Sequence, residues 1–188
     1  MRKIILLTSI LFTATSVFSQ ITTLSDAELG FALDAAVPMS TLKTTQKTGL
    51  GGSAKFGMTI YSTRFAPTCT VGFLSFSGKE IPQDQTPFLK DTYKPVFFVP
   101  VKAGMRYTFP MGVYAEPQVG GTFSFSEDDM GNANNALGFT YAFNIGFQTL
   151  PGMDISARYE AVDFVNSTAS LVGIRIGYHF TFRRQEIY

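Results

Sequence analysis

The segment Ala136 to Leu150, ALGFTYAFNIGFQTL, constrains this chain more than any other. Leu137, Phe139, Tyr141, Phe143, Ile145 and Phe147 share one parity, while Gly138, Thr140, Ala142, Asn144, Gly146 and Gln148 share the other. A helix would scatter both sets around its axis, whereas a strand sends alternate residues to opposite faces. The segment is a strand with one large apolar face and one small or polar face.

The pattern recurs along the chain. Val172, Ile174, Ile176, Tyr178, Phe180 and Phe182 oppose Gly173, Arg175, Gly177, His179 and Thr181. Phe97 to Tyr107 and Met153 to Ala161 alternate in the same way, and Leu29 to Ala35 and Ala54 to Tyr61 do so more weakly. Thr68 to Ser77 mixes its faces around Gly72, which suggests a bulge. Met111 to Phe125 is long, and Pro117 removes one ladder donor from it. No helical period competes after residue 20.

Connection lengths add a second constraint. Arg64 to Pro67, Phe109-Pro110 and Leu150 to Gly152 read as tight turns. Pro38 to Leu50, Gly78 to Lys94, Glu127 to Asn135 and Val165 to Ala169 read as longer polar loops. Short turns at one end and longer loops at the other describe an all-β, transmembrane, antiparallel up-and-down β-barrel with periplasmic turns and extracellular loops. The count is about eight strands, with both termini at the turn end.

The amino terminus gives the route. Arg2 and Lys3 precede the apolar run Ile4 to Phe12, and Val17-Phe18-Ser19 ends in a small residue. This is the layout of a signal peptide, so residues 1–19 are expected to be cleaved and 20–188 to form one barrel domain. The run falls well short of the ~20 residues a spanning helix needs.

Composition then narrows the function classes. Charged residues make up 15% of the chain and aromatics 14%, with 19 Phe, no Trp and 17 Gly. That balance suits neither a disordered chain nor a nucleic-acid binder, and a net charge of +1 offers no steering field. Cys69 stands alone, so no internal disulfide forms, and His179 is the single histidine, which removes the usual zinc ligand sets. No cofactor or metal is expected.

Period alone does not say which face points outward, because a lipocalin-like soluble barrel alternates as well. The polar face is rich in Gly, Ala, Ser and Thr, which suits a cramped bore. A solvated exterior would carry many more Lys and Glu. The aromatics Tyr107, Phe109, Phe147, Phe180 and Phe182 stand near strand ends, where interfacial girdles belong. The apolar face is therefore assigned to lipid. On the polar face stand Lys55, Lys102, Arg106, Arg158 and Arg175, against Glu28, Asp34, Glu116, Asp154 and Glu160. A balanced set is what a narrow lumen of paired charges requires, because an unpaired buried charge is very costly. Two readings stay open: a gated or selective pore, and a salt-bridged plug.

The last strand carries a recognisable signal. Arg175, Gly177, Phe180 and Phe182 match the terminal-strand pattern of outer-membrane barrels: polar, any, Gly, any, any, hydrophobic, any, hydrophobic. The mature chain is similar in layout to small OmpX-like and OmpA-type barrels of the porin-like outer-membrane family. The resemblance implies recognition by the barrel-assembly machinery and residence among outer-membrane lipids. The tail Arg183 to Tyr188 departs from it, since many members stop at the aromatic residue.

Other motifs carry less. Gly49-Leu50-Gly51-Gly52 lacks phosphate-loop spacing and has no helix after it. Asn166-Ser167-Thr168 is a sequon with little meaning in a bacterial chain, and Glu127-Asp128-Asp129 reads as a solvated turn. Lipid A deacylases use a His-Ser-Glu site with the serine two residues after the histidine. Here Thr181 takes that place after His179, so the resemblance fails at the nucleophile. The favoured function is a non-enzymatic barrel with an envelope-structural or surface-interaction role through its loops. A small-solute or lipid channel is the alternative, and a lipid-modifying enzyme the outsider.

Overall fold

The computed structural model describes residues 24–40, 42–60, 63–80, 92–127, 133–149, 152–165 and 167–183. Within them run β1 (Leu24–Ser40), β2 (Gln46–Ile60), β3 (Phe65–Gly78), β4 (Val96–Thr108), β5 (Val113–Glu127), β6 (Ala133–Gln148), β7 (Met153–Phe164) and β8 (Ser167–Arg183). Each pairs antiparallel with the next, and β8 returns to β1, so the sheet closes into a barrel. Closure gives every strand a hydrogen-bonded neighbour on each side, which a strand in lipid requires because no water is there to satisfy its backbone.

The register fixes the stagger. Facing partners lead from Glu28 through Gly57, Thr68, Gly104, Gln118, Ala142, Glu160 and Leu171 to Pro38, back on β1 but ten residues further along. With eight strands, that shift tilts each one by about 40° to the axis. The apolar run from Leu137 to Phe147 then stands about 25 Å tall, the height of a hydrocarbon band.

All eight strands present exposed apolar side chains outward, among them Phe31, Phe56, Val71, Val101, Val119, Phe143, Ile155 and Ile174. At the turn end the aromatic rings touch: Phe65 with Tyr107 and Tyr107 with Phe109 at 4.8 Å, and Tyr178 with Phe180 at 5.0 Å. Inward positions are polar over the turn-end part of the bore. Towards the loop end they become apolar, where Ala36, Leu74, Phe76, Phe98, Val162, Ala169 and Leu171 pack together.

One expectation for β3 is corrected. β3 carries no bulge at Gly72: its register with β2 is unbroken there, and Leu74 and Phe76 simply point inward into the apolar cluster. The irregularity is in the β3–β4 ladder, which skips Gly72 and Phe73 opposite Pro100, a residue with no N–H to donate. Pro117 leaves a similar gap between the Gly104–Gln118 and Tyr107–Ala115 pairs, yet β5 runs through it.

The strands also reach further than their polar sequence suggests. β2 begins at Gln46, β8 at Ser167, and Pro67 lies inside β3 rather than in the preceding turn. Ladder hydrogen bonding continues past the point where the apolar alternation stops. Among the described residues two short helical turns occur after all: α1 (Leu42–Thr45) between β1 and β2, and a 3-10 turn (Pro110–Gly112) between β4 and β5. The proposed signal peptide, Tyr61, Asp128, Asp129, Asn166 and the tail beyond Arg183 lie outside the described residues.

Candidate functional site in the barrel lumen

Inward parity brings the charges of different strands together, and the ten-residue stagger decides which of them meet. At the turn end, Arg106 Nη2 on β4 donates to Glu28 Oε2 on β1 at 2.6 Å, and its Nη1 reaches Gln148 Oε1 at 3.3 Å. Beside them, Asp154 on β7 accepts from the Tyr114 hydroxyl at 2.7 Å and holds His179 Nε2 at 2.8 Å. Gly30 makes room for that imidazole, because a Cβ there would lie 2.5 Å from His179 Nδ1.

One level deeper, Lys55 Nζ on β2 donates to Glu116 Oε2 on β5 at 2.8 Å, crossing the bore between strands three apart. Glu116 Oε1 accepts from Thr68 and from Gln118, each at 2.7 Å. Lys55 also lies 3.8 Å from Asp154 and 5.2 Å from the centroid of the Tyr114 ring. Glu116 is fully buried, so these donors replace the water it has lost.

Above this, Lys102 on β4 pairs with Glu160 on β7, again across the bore. Arg158 bridges Glu160 and Asp34, at 3.4 Å to each. Arg175 Nε donates to Asp34 Oδ1 at 3.1 Å, and Ser53 Oγ donates to Oδ2 at 2.6 Å. Asp34 and Arg175 are facing partners on β1 and β8, so barrel closure itself creates their contact.

Every candidate charge from the sequence thus points into the lumen and has an opposite charge within 4 Å. The upper set links three cations (Lys102, Arg158, Arg175) to two carboxylates (Asp34, Glu160). The neutral members Ser53, Thr68, Tyr114 and Gln118 were not singled out from sequence. The signal for Ser53, Tyr114 and Gln118 was present, because each shares a strand face with Lys55 or Glu116, whereas β3 carries no charge to mark the face of Thr68.

Of the terminal-strand signal, Arg175 is buried in the lumen, Gly177 faces inward, and Phe180 and Phe182 are exposed on the outer face. Those two aromatics pair with Leu29 and Ala27 of β1. His179 is engaged by a carboxylate, and Thr181 stands exposed at the turn-end mouth. Chemically, the arrangement is a set of charge-assisted braces tying opposite walls and filling the bore between them.

No family model matches the chain, and no curated protein matches it either. Among solved structures it is similar to Ail, the attachment invasion locus protein of Yersinia pestis, at 12% identity. That likeness covers 83% of this chain and 99% of Ail, with a TM-score of 0.60. It is also similar to the N-terminal β-barrel domain of Pseudomonas aeruginosa OprF, at 8% identity over 81% of this chain and 97% of that domain, with a TM-score of 0.58. Ail in a phospholipid bilayer nanodisc, described as an outer membrane protein, matches at 13% identity over 82% and 99%, with a TM-score of 0.53. Closed, antiparallel and eight-stranded, the chain has the fold of the small outer-membrane β-barrels.

Proposed function

We propose that the protein is a non-enzymatic integral barrel of the outer membrane, exported by a leader that is cleaved after Ser19. It serves envelope structure or surface interaction through its loop end, with the lumen kept closed by its ion pairs. One observation carries the reading: the chain is inside out. Apolar side chains are exposed all round the barrel, while Lys55, Lys102, Arg106, Glu116, Arg158, Glu160 and Arg175 are buried within it. In water such an exterior would be a severe aggregation liability, and in a bilayer it is the required surface. The likeness in fold to Ail, solved in a bilayer nanodisc, supports the same medium.

Assembly into that medium calls on the barrel-assembly machinery, through Arg175, Gly177, Phe180 and Phe182. Fractionation of the native host, read by heat-modifiable gel mobility, tests location and closure together. The mature chain should sediment with outer membranes, resist carbonate and shift in mobility on boiling. A soluble periplasmic monomer would overturn the reading. In planar bilayers the closed lumen should show negligible steady conductance, and large stable conductance would favour a small-solute channel instead.

A further inference from the structure

The loop-end half of the bore holds a cavity of about 580 Å³ that the ion-pair network does not use. Val96, Phe98, Ala136, Phe164 and Ala169 line it together with neutral hydroxyls and one amide, and no charged side chain among the described residues does so. Below it, Leu74, Val162 and Leu171 pack together and the ion pairs follow, so the cavity is a dead end.

Among the described residues it opens on one side. The β6–β7 ladder stops at Phe139–Asp163, because β7 ends one residue later at Phe164 while β6 runs on to Ala133. Beyond that point β6 stays with β5 as far as Glu127–Ala133, whereas the β7–β8 hairpin closes at Phe164–Ser167, so the wall is lower there and the end of β6 has no β7 neighbour. Leu137, on the outward parity and 59% exposed, lines the same cavity. The cavity therefore reaches the outer face over the end of β7, beside Leu137. Phe164 forms one wall by lying against Gly138, where a Cβ would come within 2.8 Å of its ring.

We propose that this side pocket takes one hydrocarbon chain of a bilayer lipid, admitted over the end of β7 beside β6. The proposal rests on the membrane reading above. The pocket is uncharged and continuous with the apolar belt, so what meets its entrance is lipid. Its volume falls in the ~300–1,000 Å³ range of small-ligand sites. Exposed Asp163, accepting from Thr168 Oγ1 at 2.9 Å, gives the entrance a polar rim on which a headgroup can rest while the chain enters. The attraction is packing rather than transfer from water: lipid is as apolar as the pocket, and a chain restores dispersion contacts that the lining lacks.

The test uses the mature chain in phospholipid nanodiscs containing a phosphatidylethanolamine with a diazirine midway along one acyl chain. After irradiation, adducts are mapped by mass spectrometry. Adducts should appear on inward residues such as Phe98, Phe164 and Ala169, as well as on belt residues such as Phe143 and Ile174. Ala136→Trp fills the pocket from the inward parity and should lower inward adducts at least ~10-fold while sparing the belt. Ser124→Phe gives the same test from β5 if that variant does not fold. Belt adducts alone, or inward adducts indifferent to both variants, would overturn the pocket and leave the membrane reading standing. Adducts at neither place would overturn the membrane reading itself.

Discussion

On β7 the inward residues run Asp154, Ser156, Arg158, Glu160 and then Val162; on β8, from the same end, they run His179, Arg175 and then Leu171 and Ala169. β4 passes from Arg106 and Lys102 to Phe98, and β3 from Thr68 and Thr70 to Leu74 and Phe76. One bore is thus filled by two chemistries, ionic towards the turns and apolar towards the loops, behind an exterior that is apolar at both levels. The two halves hold the barrel in different ways. Ion pairs are directional and mutually dependent, so losing one partner strands the other. Apolar packing is local, and its loss scales with the hole that remains.

The largest effect should come from the ionic half. Glu116→Ala leaves Lys55 with only the distant Asp154 carboxylate, strips Thr68 of its acceptor and leaves Gln118 with Thr70 alone. The expected cost is ~3–5 kcal/mol where the site is dry. Lower denaturant midpoints in detergent and intermittent openings in planar bilayers would show it. Adding Lys55→Met should recover part of the loss, because a buried pair costs most when it is half removed. A double variant no better than the single would mean that the two halves do not differ in kind.

The exterior provides the reference for both halves. Phe143 is half-exposed near the middle of the β6 apolar run. Phe143→Arg should cost ~2–4 kcal/mol as a charge near the bilayer midplane, read as lost folding into lipid vesicles. The neighbouring Ala142 is buried on the lumen side. Arg placed there should act through crowding and unpaired charge, with a cost that does not depend on lipid thickness. If Phe143→Arg folds into vesicles as well as the parent chain, the faces are inverted.

How far this division was legible in the sequence follows from where parity has contrast. Along β6 and β8 large apolar and small or polar residues alternate cleanly, so strand and face could be read directly, and the same parity on β1, β2, β4, β5 and β7 gave nine of the ten lumen charges. On β3 near Leu74 and Phe76 both parities are apolar or small, the contrast vanishes, and a turn of the lining inward looks like a bulge. Partners were hidden for a different reason. Asp34 and Arg175 are 141 residues apart and meet only because β8 closes on β1. Lys55 reaches Glu116, and Lys102 reaches Glu160, only through the stagger set by every register in turn. Parity is a property of each strand, whereas shear belongs to the closed sheet.

In the apolar half, Leu74→Ala should cost about 2 kcal/mol, the low end of the range for such truncations, because the open cavity nearby lets neighbours shift into the space. Unlike Glu116→Ala, it should leave conductance unchanged, since no charge loses its partner. Openings of the same kind from Leu74→Ala would show that the apolar half, and not the ion pairs, seals the bore.

The smallest effect concerns a polar pair set among the apolar packing. Thr122 on β5 and Thr140 on β6 are both fully buried, and their hydroxyls share a 2.6 Å hydrogen bond. Val is close to Thr in shape, so Thr140→Val removes the hydroxyl with little change in packing and leaves Thr122 Oγ1 without that partner. The expected cost is about 1 kcal/mol, the lower end for an unsatisfied buried hydroxyl. Thr122→Val added to it removes the orphan as well, and the double variant should return to within a few tenths of a kcal/mol of the parent. This pair then follows the rule of the ionic half, in miniature, at the level of the apolar one. The measurement is a double-mutant cycle on unfolding in detergent, with a positive coupling energy expected. Additive losses would mean that each hydroxyl acts alone, so that pairing governs the turn-end half only.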